Sequence, residues 1–157
     1  MAASLKTKPR RHEGHEGRSK TIGGNMLSRV TSHLPFETEQ AAERVIGCAI
    51  EVHRHLGPGF LEGIYQDALS IELETAGLKF KREVPIILQY RNRPLRLHRL
   101  DLVIEGRIIV ELKAVEHLDR IHHAQLMSYL RASNIRLGLL FNFNVEILKS
   151  AIRRVVV

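Results

Sequence analysis

Two acids and a lysine stand where strands ought to be apolar. In Val110-Glu111-Leu112-Lys113-Ala114 a carboxylate and an ammonium fall two positions apart. In a strand that spacing puts both on one face, with Val110 and Leu112 on the other. Burying the two without partners would cost several kcal/mol, so their presence has two accounts. Either they neutralise each other or a cross-strand neighbour, or Glu111 binds a hard cation while Lys113 steadies an attacking water or developing negative charge. Asp101, inside the apolar run Leu100-Asp101-Leu102-Val103-Ile104, adds a second carboxylate ten positions earlier. The turn between the strands decides whether the acids meet. A two-residue turn at Glu105-Gly106 pairs 104 with 107 and points Asp101 away from Glu111. A three-residue loop Glu105-Gly106-Arg107 pairs 104 with 108 and sets Asp101 opposite Glu111. The metal account requires the second register, with Gly106 or Arg107 in a left-handed conformation.

Glu62 is a candidate third acid, on a helical stripe with Tyr65, Gln66 and Leu69. With Gly59 as N-cap it would occupy the third helical position, where a glutamate also serves the helix dipole and a capping box. Gln125 and Tyr129 lie four apart on a later helix and could face the same site, or simply pack. His117, His122 and His123 do not make a zinc site, because His122 and His123 are helix neighbours pointing different ways and no thiolate assists. Cys48 reads as an inert core thiol, and His53 and His55 as residues bordering a Gly-Pro-Gly turn.

The elements that would position these groups follow from periodicity. Helices are expected over about 37–56 and 60–76, interrupted by Gly57-Pro58-Gly59. Strands follow at 80–88, with Pro85 marking an edge or bulge, and at 95–104 after a turn at 91–94. A third strand covers 108–115. A helix over about 120–132 starts from Asp119 as N-cap and stops at Asn134. The apolar run 135–141 reads as a central strand. Residues 145–157 give a short helical stretch and a strand-like tip at 155–157. The order α-α-β-β-β-α-β implies an α/β fold, a mixed sheet with helices on both faces.

At 157 residues the chain suits one domain. No apolar run approaches the ~18–20 residues a membrane span needs, and the basic N-terminus has no apolar segment of a secretory signal. One cysteine excludes an internal disulfide. The chain therefore reads as cytoplasmic. Most of the formal charge of +7 falls in residues 1–36, where seven basic residues face only Glu13 and Glu16. That stretch, rich in Gly, Ser, Thr and His, is expected to be a disordered basic tail, with the folded domain over 37–157. Within the domain, Lys79, Lys81, Arg82, Arg91, Arg93, Arg96 and Arg99 face only Glu83. This basic hairpin fits a phosphate backbone, although a solvated hairpin would look alike.

Gly59-Phe60-Leu61-Glu62-Gly63-Ile64-Tyr65 resembles the signature of the bacterial and archaeal family named for G-x-x-E-x-x-Y. The likeness runs from about Val45 to the C-terminus through Glu51-Val52-His53-Arg54, Val110-Glu111-Leu112-Lys113-Ala114, Ala124-Gln125-Leu126 and the run from Leu137 to Phe143. That family looks like a branch of the PD-(D/E)XK nucleases, whose restriction-endonuclease-like core runs αβββαβ; here an extra N-terminal helix would precede it. The resemblance implies a metal-dependent nuclease acting on DNA with Mg²⁺, or Mn²⁺, and no small-molecule cofactor. Asp101, Glu111 and the Leu112 carbonyl would hold the ion, Glu62 directly or through water. Lys113 would position the water, and Gln125 the lysine or the phosphate. Gln125 and Tyr129 look like the Q-x-x-x-Y element of the exonuclease branch. One departure is His98-Arg99-Leu100, where the pattern before the aspartate is usually aromatic-Arg-small. The alternative is a non-catalytic module that keeps the fold to bind nucleic acid or a partner, as a homo-oligomer or in a larger complex.

Overall fold

The computed structural model describes residues 34–157. Of the expected basic tail only Leu34, Pro35 and Phe36 fall within it; the rest lies outside the described residues. Leu34 packs against the core, and the first helix begins at Phe36.

Helix α1 (Phe36–Leu56) buries the stripe Ala41, Ala42, Val45, Cys48, Ala49 and Val52. Its acids Glu37 and Glu39 sit in the first turn and His53, Arg54 and His55 in the last, complementing the helix dipole at both ends. It stops at Gly57, whose φ of 65° suits glycine. Helix α2 (Glu62–Thr75) buries Tyr65, Gln66, Leu69, Ser70 and Leu73. Five strands follow in spatial order β1-β2-β3-β4-β5: β1 (Phe80–Tyr90), β2 (Arg93–Ile104), β3 (Ile108–Lys113), β4 (Leu137–Asn142) and β5 (Ile152–Val156). Only β3 and β4 run parallel, connected through α3 (Arg120–Ser133), so the sheet is mixed.

Alternation along the strands divides the core into two layers. Leu102, Ile104, Ile108, Val110, Leu112, Leu139 and Phe141 pack on the α1 and α2 side. Val103, Ile109, Leu140 and Val155 meet Leu126, Tyr129 and Leu130 of α3 on the other side. Gly138 lets α3 approach closely, since a Cβ there would stand 2.7 Å from the Leu126 side chain. Asp119 and His122 form a reciprocal capping box for α3, and Asn134 closes it in a left-handed conformation at φ 56°.

Several boundaries differ from the sequence pattern. The first hairpin turns on Arg91 and Asn92 alone, both left-handed, because a two-residue turn of that hand matches strand twist. Pro94 therefore lies inside β2, in a part with no β3 neighbour. Pro85 sits on β1, the sheet edge, as its missing donor requires. The C-terminal strand covers all of Ile152–Val156 after a 3₁₀ turn, Leu148–Ala151. Arg153 and Arg154 hide it in the sequence by breaking the apolar run.

One irregularity was not expected at all. Regular alternation would put Leu100 on the same side as Leu102, yet Leu100 packs with the α3 layer. The inversion falls at Asp101, and β1 inverts opposite it at Glu83, which takes φ 49°. Glu83 and Asp101 drop out of the ladder between Arg82↔Leu102 and Val84↔Leu100.

Candidate active site

The pairing Ile104↔Ile108, Val103↔Ile109, Leu102↔Val110 is the three-residue-loop register. The ladder ends one step short of Asp101 and Glu111, and the charge and the amide of Asp101 both act on the Glu111 carboxyl. Gly106 (φ 64°) supplies the left-handed conformation, as one of the two residues expected to, and Glu105 (φ 52°), which was not expected to, adopts it as well. Glu105 tolerates the conformation because it is tied at both ends of the residue. Its N–H donates to the Lys79 carbonyl at 2.8 Å, and its carboxylate accepts from the Lys79 N–H at 2.7 Å.

The β2–β3 ladder stops where the acids begin, which frees backbone amides for them. Asp101 Oδ2 accepts from the Leu112 N–H at 2.8 Å, and the Asp101 N–H acts in turn on the Glu111 carboxylate. Glu111 is only 6% exposed, and its Oε1 has no hydrogen-bond partner. Burial, reinforced by the Asp101 charge, pushes its carboxyl up to about 8; Lys113 and the Asp101 amide oppose this only in part. Asp101 is raised as well, chiefly by burial, with the Leu112 amide and Lys113 pulling the other way and Glu62 and Glu83 adding to the rise. Lys113 influences both acids, but among the described residues its ammonium makes no direct ion pair with either. A simple Glu111–Lys113 salt bridge therefore does not account for the buried charge.

Glu62 is the first residue of α2, with Leu61 as N-cap. It does not hold the third position that a Gly59 cap would give, so the capping-box account of this acid fails. The cause is the Gly57–Leu61 connection, which delays the helix by a residue pair. Glu62 Oε1 instead accepts from the Ala114 N–H at a long 3.4 Å, just past Lys113. Its charge reaches both Asp101 and Glu111. No three His, Cys, Asp or Glu side chains converge on one point among the described residues. The core of the site is thus the Asp101–Glu111 pair, and Glu62 stands at its rim.

Tyr129 closes the α3 side. It is buried, and its hydroxyl is raised by burial, then by Glu111 and Asp101. Its ring stacks on His98 at 4.2 Å, so the histidine at the aromatic position of β2 keeps the stacking that an aromatic would supply. Gln125, one helical turn earlier, is exposed. His122 is engaged in the α3 cap.

Gln66 and Glu83 have roles that sequence reasoning did not assign. Gln66 Nε2 donates to the Asp101 carbonyl and to Glu83 Oε1, both at 2.9 Å. That carbonyl is free because the ladder breaks at Glu83 and Asp101. A buried glutamine four residues after Glu62 on the sheet-facing stripe was the available signal. The basic residues Lys79, Lys81, Arg82, Arg91, Arg93, Arg96 and Arg99 are all exposed. Arg82 pairs with Asp67 of α2, Arg91 lies 5.5 Å from the Tyr90 ring centre, and Lys79 is at the sheet end away from Lys113. Arg91, Arg93 and Arg96 decorate the β1–β2 hairpin beyond its pairing with β3.

The donors fit a hard divalent cation. They are all oxygen, the Asp101 charge acts on the Glu111 carboxyl, and one buried carboxylate oxygen has nothing to satisfy it. A comparison with family models matches residues 39–155 to the PD-(D/E)XK nuclease superfamily. The chain belongs to that superfamily. Comparison with curated proteins and with solved structures gave no significant match. The sheet and its flanking helices are the restriction-endonuclease-like α/β fold of this superfamily, whose members generally act with divalent metals. The residues read from the sequence as a D…E-x-K signature, Asp101, Glu111 and Lys113, lie within the matched span. No described helix is long and apolar enough to cross a membrane.

Proposed function

We propose that this PD-(D/E)XK protein hydrolyses phosphodiester bonds in DNA with Mg²⁺ or Mn²⁺, in the cytoplasm and within the G-x-x-E-x-x-Y branch. The observation that carries the reading is the buried, partnerless oxygen of Glu111 set against Asp101. A folded protein keeps a buried acid beside a half-buried one at a cost, and a cation between them would turn repulsion into ligation. Asp101, Glu111 and the Leu112 carbonyl would hold the ion, with Glu62 reaching it through water from the rim. A bound divalent ion supplies Lewis-acid polarisation of the phosphate and a more acidic water.

The chain's own groups do the rest. Lys113, free of a direct ion pair, is available to orient the attacking water or to meet the charge that grows on the phosphate. Gln125, exposed on α3 one turn before Tyr129, would contact the lysine or the phosphate once substrate is present. Tyr129 keeps its proton and shields the acids from solvent on the α3 side. The arginines and lysines of the hairpin hold the backbone electrostatically and carry no base readout. The test is cleavage of single- and double-stranded DNA with Mg²⁺ or Mn²⁺, Lys113→Met alongside. The variant should lose about 10²–10³-fold in turnover, the range for one charge-stabilising donor, with DNA affinity nearly unchanged. Wild type that binds DNA and never cleaves would favour the non-catalytic module.

A further inference from the structure

Gly57, Pro58, Gly59, Phe60 and Leu61 link α1 to α2 without regular structure, so their backbone groups need partners from elsewhere. One side chain supplies two of them. Tyr65 is fully buried, and its hydroxyl donates to the Gly57 carbonyl at 2.7 Å while accepting from the Phe60 N–H at 3.2 Å. The hydroxyl thus cross-braces a loop whose glycines curl at φ 65° and 106°. The ring stacks on Phe143 at 4.4 Å, and the Phe143 N–H bonds the Lys113 carbonyl at 2.8 Å. The same side chain therefore joins the loop to the end of β3.

What this brace sets is where α2 begins. Leu61, the N-cap, is 81% exposed and offers no side-chain cap, so nothing local fixes the helix start. Glu62 is the next residue, and its reach to the Ala114 N–H follows from that start. A shift of one residue would swing Glu62 by about 100°, one helical step. We infer that Tyr65 is a positioning residue for Glu62: its hydroxyl braces the α1–α2 loop and thereby aims the rim carboxylate at the end of β3. The inference rests on the role proposed above for Glu62. It also explains why a buried tyrosine, and not phenylalanine, follows Glu62 by three.

The experiment compares wild type, Tyr65→Phe, Glu62→Gln and the double variant. Tyr65→Phe keeps the ring stack, so the fold should persist. Its Ala114 amide should shift and exchange faster, as in Glu62→Gln. Mn²⁺ affinity by calorimetry should fall about 10–100-fold in each single variant, the usual loss when a group supporting a ligand is removed. The double variant should be no worse than either alone, because both act on one arrangement. Should Tyr65→Phe not fold, Gly59→Ala strains the same loop with the hydroxyl in place and should move the Ala114 amide likewise. An unmoved Ala114 amide, or losses that multiply in the double variant, would overturn the inference. Wild type that binds no Mn²⁺ would instead overturn the metal reading, while the Ala114 amide still decides the role of Tyr65.

Discussion

Glu111→Gln should make the metal-free protein more stable, by an amount that grows with pH. The native fold holds the Glu111 proton up to about pH 8 because the carboxyl is buried against Asp101. The unfolded chain releases it near the ordinary value of 4.5. Below pH 4.5 both states are protonated and the residue carries no electrostatic cost. Between 4.5 and about 8 only the native state binds the proton, so stability falls by about 1.4 kcal/mol per pH unit. At pH 7 the accumulated cost is about 3 kcal/mol, and above pH 8 it levels off. A neutral amide of the same shape escapes it. Because the Asp101 charge acts on the Glu111 carboxyl, the pair titrates together and the transition is broad. Urea denaturation followed by circular dichroism at pH 4.5, 6, 7 and 8, with chelator present, measures the difference directly. The two proteins should converge at pH 4.5 and differ by about 3 kcal/mol at pH 7. A difference independent of pH, or a variant less stable at pH 7, would refute the buried-acid account.

Gln66→Leu should leave the Asp101 carbonyl without its donor and free Glu83 beside the acids. Losing this partner should cost about 1–3 kcal/mol in denaturation and weaken Mn²⁺ binding in calorimetry; an unchanged affinity would show that Asp101 is held without it. Arg93→Ala combined with Arg96→Ala should weaken DNA binding similarly for all sequences and flatten the slope of log K against log salt by roughly 1–2 in filter binding or anisotropy. A sequence-selective loss would indicate base readout.

The register that the candidate site requires was legible in advance. Acids and a lysine in apolar strands break the pattern locally, and strand parity alone turns them into two possible registers, of which the structure adopts the one that pairs Ile104 with Ile108. The α3 boundaries were equally readable, since Asp119 and Asn134 act on backbone next to them. The inversion at Glu83 and Asp101 was not. A left-handed glutamate runs against its intrinsic preference and is held there by contacts from another element, with Gln66 gripping its carboxylate. The start of α2 was missed for a related reason: an exposed leucine is no capping signal, and the brace that sets the start comes from Tyr65, three residues after Glu62. β5 was underestimated because an edge strand can carry two arginines in its midst and still pair along β4.

The central claim is that Asp101 and Glu111 form one divalent-cation site, and calorimetric titration of Mn²⁺ into wild type and Asp101→Asn tests it most directly. Since Glu111 must ionise to bind, wild type should take up one ion at pH 7 and release up to one proton, seen as a heat that depends on the buffer's ionisation enthalpy. Affinity should rise with pH up to about 8, and Asp101→Asn should abolish the binding. Wild type without a binding isotherm, or an Asp101→Asn variant that binds as tightly with the same proton release, would contradict it.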